Sequence, residues 1–554
     1  MKGSQISCIG IILFFIGLIL LLLSWHFSYP IHIVKVNILT FTQFSFLIWP
    51  GIIFSLIGLF LTAFYSTRKS IKAICISLFP IILYIYVFYF SYIPSSDSGG
   101  IKAMTEIFHQ IGIDSSIVSY FQYPTFFSVN EITSQVAGLD INTTAIVFFT
   151  LYGMLLSLFV FLFLNNEAYN NHYQIAVLGI PLYFTVLFNY LNYQWVPQTL
   201  ALVFLFVLLI TFNRDGIKYK IFNLIIFIAL VFTHAFIPVI FLLFFGLYTI
   251  KKKEYFNIFI IMMCIYISVL IYYTTNFFPV IVNAFRETIY GFGGEYSSTI
   301  AASFKQPTDY LDQIISLVNR IRIPLTLLII SVGFIIGFIK KRISIITIIL
   351  AITGGSYLII GLFYSILGLR ALQILVISLI FGIGFFYSKW KKQTVAFVLV
   401  LLLLSVFAPM RNCYDHVQVL SSDEENACNF LATKIDLEKS DKIAIAGVAY
   451  GYFANKYDYI NKDKNNYVRE IAKSPQFQAF YTVFNSSIKD NYYIVNNPNL
   501  LKEIATYQMD IKDVSILNEN LLLSNNKIYA FGETYIIAGV TKEQETNTII
   551  PDIR

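Results

Sequence analysis

Charge is what this sequence has least of. Asp, Glu, Lys and Arg make up 12% of its 554 residues, against about 25% in a soluble domain. A chain this long and this poor in charge cannot clothe a folded surface in solvated groups, so a wholly water-soluble protein is excluded. Cysteine is scarce as well. The five cysteines, at 8, 75, 264, 413 and 428, form no CxxC pair and no zinc spacing, which excludes a zinc ribbon or a thioredoxin-type motif. There is no phosphate-binding GxxxxGK[ST] loop, no dinucleotide fingerprint and no kinase signature, which sets ATP-driven chemistry aside.

What the chain does have is apolar bulk: 57% hydrophobic residues, with 54 Phe and 38 Tyr. The net charge of +7 does not point to nucleic acid, because Lys and Arg gather in short loops between apolar runs, as topology signals do. Membrane lipid is the expected surrounding. A spanning helix needs roughly 20 apolar residues, and thirteen candidate runs are centred in 7–24, 43–65, 71–93, 144–164, 174–190, 198–213, 221–234, 237–250, 255–275, 323–339, 343–366, 371–387 and 393–409. The first run lacks a small-residue cleavage site after it, so it is expected to stay as an anchor rather than leave as a signal peptide.

The loops orient the runs. With a cytoplasmic N-terminus, "STRKSIK", "NRDGIKYK", "IKKKE", "KKR" and "SKWKK" all fall inside, as the positive-inside rule requires. The stretch 221–250 is either a tight hairpin that crosses twice or one broken helix. Only two crossings keep the later basic loops inside. The expected fold is therefore a polytopic α-helical membrane protein of about thirteen transmembrane helices over residues 1–409, with long outer loops at 94–143 and 276–322. The polar tail, 410–554, alternates helix-like "SSDEENACNFLATKI" with β-rich "KIAIAGVAY", "NYYIVN" and "KIYAFGETYIIAGV", which reads as a small extracytoplasmic α/β domain. Cys413 and Cys428 lie there, either paired or as two thiols.

The first outer loop carries an acid, Asp97, directly after an apolar run. "GIKAMTEIFHQIGI" follows, with Ile101, Met104, Phe108 and Ile111 on one face, and is expected to lie as an interfacial helix with that face in the headgroup boundary. A Tyr123-Pro124 turn and a second helix come next. A carboxylate at the edge of hydrocarbon either deprotonates a hydroxyl or binds a cation; the plainer role for Asp97 is to cap the helix that starts near Gly100. His109 assists a base or phosphate, or simply faces solvent. His234, in "LVFTHAFIP", is a hydrogen-bonded helix-packing residue or a cavity residue; intramembrane ionisable groups are functional suspects by default. Trp195 belongs to the interface belt or to the wall of a lipid-tail groove. Arg370, read as lying in a short turn over 367–370, grips phosphate in two-pronged fashion or snorkels to water. Glu295 in "GFGGEYSS" and the pair Asp309 and Asp312, three apart on one face if helical, are weaker acidic candidates: the pair shares a divalent cation, Mg or Mn, or solvates a loop helix.

The order of span, acid, interfacial helix, "YP" turn, second helix and span resembles the first outer loop of the C-type (GT-C) membrane glycosyltransferases. "YQWVPQTLALVFLFVLLITF", "LVFTHAFIPVIFLL" and "GLRALQILVISLIFGIG" look like their counterparts in archaeal-type members, over roughly residues 70–410. The resemblance implies a polyprenyl-phosphate-linked sugar donor, an acceptor at the outer face, Asp97 as the acceptor-activating acid and Arg370 as a ligand of the donor phosphate. His109, Tyr123, His234 and Glu295 are the further expected substrate contacts. The chain departs from the pattern in placing two extra helices before the acid and in lacking an Asp-x-Asp pair in the first loop. A transporter or flippase, or a non-catalytic membrane scaffold, are the other functional classes; a transporter is expected to show internal repeats and charges within spans.

Overall fold

The computed structural model describes residues 3–29, 44–89, 98–113, 119–168, 173–186, 195–274, 310–363, 365–405, 422–434, 442–445, 452–453, 456, 470–471, 491–496, 526–531 and 534–540. Two compact units divide the chain. The first is Met1–Ile31, Phe41–Ile93 and Ser119–Asn412; the second is His32–Thr40, Pro94–Val118 and Cys413–Arg554.

In the first unit the described elements are helices: α1 (Gly3–Ser28), α2 (Ile48–Tyr65), α3 (Lys69–Leu83), α5 (Thr125–Ala137), α6 (Ile141–Glu167), α7 (Tyr173–Val186), α8 (Pro197–Thr211), α9 (Ile217–Val231), α10 (Ile237–Lys251), α11 (Phe256–Tyr272), α12 (Tyr310–Ile339), α13 (Ile345–Phe363), α14 (Ser365–Leu379), α15 (Ile383–Lys389) and α16 (Lys391–Ser405). Six stretches among the described residues are long and apolar enough to cross a bilayer: Gly3–Ser28, Ile48–Tyr65, Ile141–Glu167, Lys253–Tyr272, Ile321–Ile339 and Leu372–Lys389. The chain is a helical membrane protein. The stretch 221–250 holds two helices, α9 and α10, folded back on each other. Phe227 and Phe241, equally far from the bend, bring their ring centroids to 5.9 Å, which one continuous helix cannot do.

The packing is that of a protein whose solvent is oil. In α1 the buried residues are Ser7, Gly10, Gly17, Leu21 and Ser24, while Ile12, Phe15, Ile19 and Leu22 stand exposed. Lipid is as apolar as leucine, so helix association there comes from close backbone approach at small residues. A Cβ on Gly17 would collide with the Ser55 side chain and lie 2.5 Å from its amide nitrogen; one on Gly10 would lie 2.8 Å from the Thr62 nitrogen. Gly51, Ser55, Gly58 and Thr62 supply the facing stripe on α2.

Between α5 and α6 the chain turns a tight corner. Gly138 ends α5 in the left-handed region, at φ +65°, which glycine adopts without strain. Asp140 then starts α6, accepting the Thr143 N–H at 3.0 Å and the Thr143 hydroxyl at 2.5 Å. These hydrogen bonds, the hydroxyl's first, hold the Asp140 carboxyl below its usual range.

The second unit contains α4 (Ser98–Ile111), α17 (Ser422–Lys434) and a mixed sheet of β1 (Lys442–Ile445), β2 (Glu470–Ile471), β3 (Asn491–Asn496), β4 (Asn526–Phe531) and β5 (Thr534–Val540). The order is β2-β1-β3-β5-β4. β1 runs parallel to β2 and β3, and β5 runs antiparallel to β3 and β4. α17 packs on β3, β4 and β5. α4 differs from its expected setting. Of the face expected in the headgroup boundary, Ile101 and Phe108 are buried and Met104 and Ile111 half-buried, so protein covers part of it.

Replacing Gly17 by Leu is expected to cost at least 1–3 kcal/mol, the ordinary cost of overpacking, because backbone atoms of α2 stand in the way. Ile12→Leu on the exposed face is expected to stay within about 0.5 kcal/mol. Thermal melts of the purified protein in detergent distinguish the two.

Candidate functional site

Polar residues of the first unit gather at one end of its helices. α9 ends at Val231, and Thr233 donates its hydroxyl hydrogen to the Ala229 carbonyl at 2.6 Å. The next residue, His234, turns its Nδ1 toward the start of α10 and accepts the N–H groups of Phe236 at 3.1 Å and Ile237 at 3.4 Å. Nδ1 is therefore unprotonated and the ring hydrogen sits on Nε2. His234 is 3% exposed and takes the place of a helix cap, ahead of a proline in the first turn of α10. Its sequence reading, as a hydrogen-bonded helix-packing residue or a cavity residue, did not specify the start of α10 as the partner. The loop is tied on two further sides. The Thr125 N–H donates to the Phe232 carbonyl at 3.2 Å, and the Tyr266 hydroxyl donates to the Ala235 carbonyl at 3.2 Å.

The Thr125–Phe232 bond brings two expected site residues into one neighbourhood. Tyr123, buried, and Pro124 form the turn that launches α5 at Thr125; His234 lies two residues after Phe232. Trp195 joins from the start of α8. Its indole N–H donates to Asn130 Oδ1 at 3.0 Å, and the Asn130 amide donates to the Phe126 carbonyl at 2.7 Å. At 3% exposure Trp195 is not a member of an interface belt: the hydrogen bond to Asn130 satisfies its one polar atom inside the protein, so it has no need of headgroup water. Among the described residues, the buried Gln122 Oε1 and Thr144 Oγ1 have no hydrogen-bond partner, an arrangement that costs about 1–3 kcal/mol per group unless something else satisfies it.

One turn of α8 further on, Gln198 donates from Nε2 to Oε1 of the fully buried Gln373 at 3.1 Å. Gln373 is on α14, and Arg370 lies one turn before it. The expected turn over 367–370 is not there: α14 is helical from Ser365. Gly368 alone weakens a helix by about 1 kcal/mol, and the flanking Leu, Arg, Ala and Gln are strong helix formers, so the helix runs through it.

Other expected site residues fall elsewhere. Asp97, Glu295 and Asp309 lie outside the described residues, as does Cys413. Asp312 lies in the first turn of α12. Among the described residues no group of three metal-ligating side chains occurs. His109 is exposed on α4 in the second unit. The polar centre of that unit lies a turn earlier on the same helix. Lys102 Nζ meets Glu425 Oε2 at 2.5 Å, and Lys456 Nζ meets Glu106 Oε2 at 2.6 Å. The Tyr452 hydroxyl lies 3.1 Å from both Glu106 Oε2 and Asn429 Oδ1, which share its one hydrogen. Burial first, and then the charges of Glu106 and Glu425, push the Tyr452 hydroxyl up, so it remains a donor. Each of these carboxylates faces a lysine, which suits it to holding α4 in place rather than to accepting a proton.

Sequence reasoning missed Gln122, Asn130, Gln198 and Gln373. The available signal was an uncharged polar residue inside apolar surroundings, as in "WVPQT" and "RALQILV". Compared with models of known protein families and with curated protein sequences, the chain gives no match.

His234→Ala is expected to lower the melting free energy by about 1 kcal/mol, the value of a helix cap, and His234→Asn to retain most of it. In the second unit Glu106→Gln is expected to cost about 1.5–3 kcal/mol, and less when Lys456→Gln is already present. A double-mutant cycle followed by melting measures that coupling.

Proposed function

We propose that this chain is a membrane glycosyltransferase that moves a sugar from a polyprenyl-phosphate-linked donor to an acceptor at the outer face of the membrane. One observation carries the reading. Tyr123, Trp195, His234 and the helix that holds Arg370 are linked, through Thr125–Phe232, Trp195–Asn130 and Gln198–Gln373, at the helix ends opposite the basic loops 213–220, 250–254, 340–342 and 388–392. These segments belong to the further reach of the resemblance to GT-C enzymes, beyond Asp97 and the 100–111 helix that chiefly carry it. In this reading the chain crosses the bilayer thirteen times from a cytoplasmic N-terminus, and residues 410–554 form an extracytoplasmic α/β domain.

Asp97 takes the proton of the acceptor hydroxyl as its oxygen attacks the anomeric carbon of the sugar. The bond from that carbon to the donor phosphate oxygen breaks, and polyprenyl phosphate leaves with the bonding pair. Arg370 holds the leaving phosphate, since a guanidinium matches it with two parallel hydrogen bonds. Tyr123 and His234 contribute neutral polar and aromatic wall, and the bound lipid tail lies along the membrane side.

Asp97→Asn is expected to lower transfer of labelled sugar from a polyprenyl-phosphate donor in membranes by about 10²–10⁴-fold, the usual contribution of a general base, with Arg370→Lys intermediate. Both variants must elute and melt like the unaltered protein. Full transfer by a folded Asp97→Asn protein removes the reading.

A further inference from the structure

A groove of about 360 Å³ lies between α12, α15 and α16, lined by Ile329, Ile383, Phe386, Trp390, Thr394 and Phe397, with Gln393 at its rim. One end starts beside the backbone contact of Gly333 with Gly382, where an added Cβ would strike the opposite chain; Ile329 is a turn from the first glycine and Ile383 follows the second. From Ile383 to Trp390 the groove runs about 10 Å along the helix axis, at 1.5 Å per residue. That end is basic. Lys389 Nζ stands 4.7 Å from the Trp390 ring centroid, and Lys340 Nζ stands 5.0 Å from that of Phe385. Lys391 and Lys392, both exposed, open α16 beside Gln393.

The two short segments at this groove's open end carry charge of one sign, and the Glu167 carboxylate of α6 beside them accepts the Ser344 hydroxyl at 2.6 Å. Between Asp312 and Asp415 the sequence contains no acidic residue, while Lys340, Lys341, Arg342, Lys389, Lys391 and Lys392 lie in two short segments at the groove's open end. We infer that the groove is a binding site for an anionic phospholipid of the leaflet at that end, with one acyl chain along Ile329, Phe386 and Phe397 and the phosphate among Lys389, Lys391 and Lys392. The occupant is a lipid rather than a soluble anion because the lining is apolar and only the mouth is charged. It is an anionic rather than a zwitterionic lipid because no carboxylate in this stretch of chain is available to meet a choline or ethanolamine cation. Trp390, 44% exposed and stacked on Phe386, stands where the two halves of such a lipid meet, the level at which indole rings collect in membranes.

The test uses the full-length protein in phosphatidylcholine nanodiscs with a phosphatidylglycerol probe bearing a diazirine in one acyl chain. After photolysis, label is expected on peptides containing Ile383, Trp390 and Phe397, competed by phosphatidylglycerol and not by added phosphatidylcholine. Each lysine near an anionic headgroup is worth about fivefold in affinity, so the Lys389→Gln, Lys391→Gln, Lys392→Gln triple variant is expected to lose at least fivefold of the label. Phe397→Trp, which fills the groove and leaves the lysines in place, is expected to lose it as well. Label spread evenly over all exposed helix faces, equal competition by phosphatidylcholine, or retention of label by both variants overturns the inference. A particle containing two copies, with this groove protected in the pair, overturns it too by giving the groove a different occupant.

Discussion

Water cannot reach the hydrocarbon interior of a bilayer, and that single absence organises the molecule. Each backbone N–H and C=O placed there must be satisfied within the protein, which leaves helices as the economical solution. Each polar side chain placed there must find a partner or suffer its full desolvation. The first unit follows both rules over most of its described residues, with Gln122 Oε1 and Thr144 Oγ1 among the buried atoms that depart from the second. Its helices present Ile, Leu and Phe outward, as α1 does with Ile12, Phe15 and Ile19. Its polar side chains are drawn inward, Asn130 to Trp195 and Gln373 to Gln198. Elsewhere Asn223 accepts the Thr211 hydroxyl at 2.6 Å, and Ser157 gives its hydrogen to the Ile76 carbonyl at 2.7 Å. A soluble protein inverts this arrangement, and a reading of "core" as "large and apolar" fails for α1, whose buried residues are mostly Gly and Ser.

That inversion explains what could be read from the sequence alone. Apolar runs locate membrane helices because the hydrocarbon constraint acts on composition over some 20 residues at a time, and α1, α2, α6, α11, α12 and the α14–α15 stretch answer to it. Features decided by one neighbour were not legible. Whether Trp195 faces headgroups or the interior depends on Asn130, sixty-five residues away. Whether Gly368 breaks a helix depends on how strongly its flanks favour one. His234 was legible as unusual, but its role as an acceptor for the next helix is a matter of backbone direction, which composition does not report. The apolar face of α4 was visible in its periodicity; that protein rather than lipid covers part of it was not, since both neighbours reward the same pattern. The charged partners of α4 lie more than 300 residues away in Glu425 and Lys456.

The two ends of the first unit differ in the kind of polarity they carry, and the difference follows from what each end must do. One end carries lysines and arginines in short loops, groups that cost little in water and resist passage through lipid. The other carries Gln, Asn, His, Tyr and Trp, of which Trp195, Asn130, His234, Gln198 and Gln373 make hydrogen bonds within the protein while Gln122 Oε1 does not. Such residues can line a partly dry space without the solvation cost of a charge, and they leave the local potential to the few charged groups nearby. In a space of that kind a single guanidinium or carboxylate acts over a longer range than it does in water, because its field is less screened. A site formed mainly of neutral hydrogen-bonding residues is therefore not a weak one electrostatically.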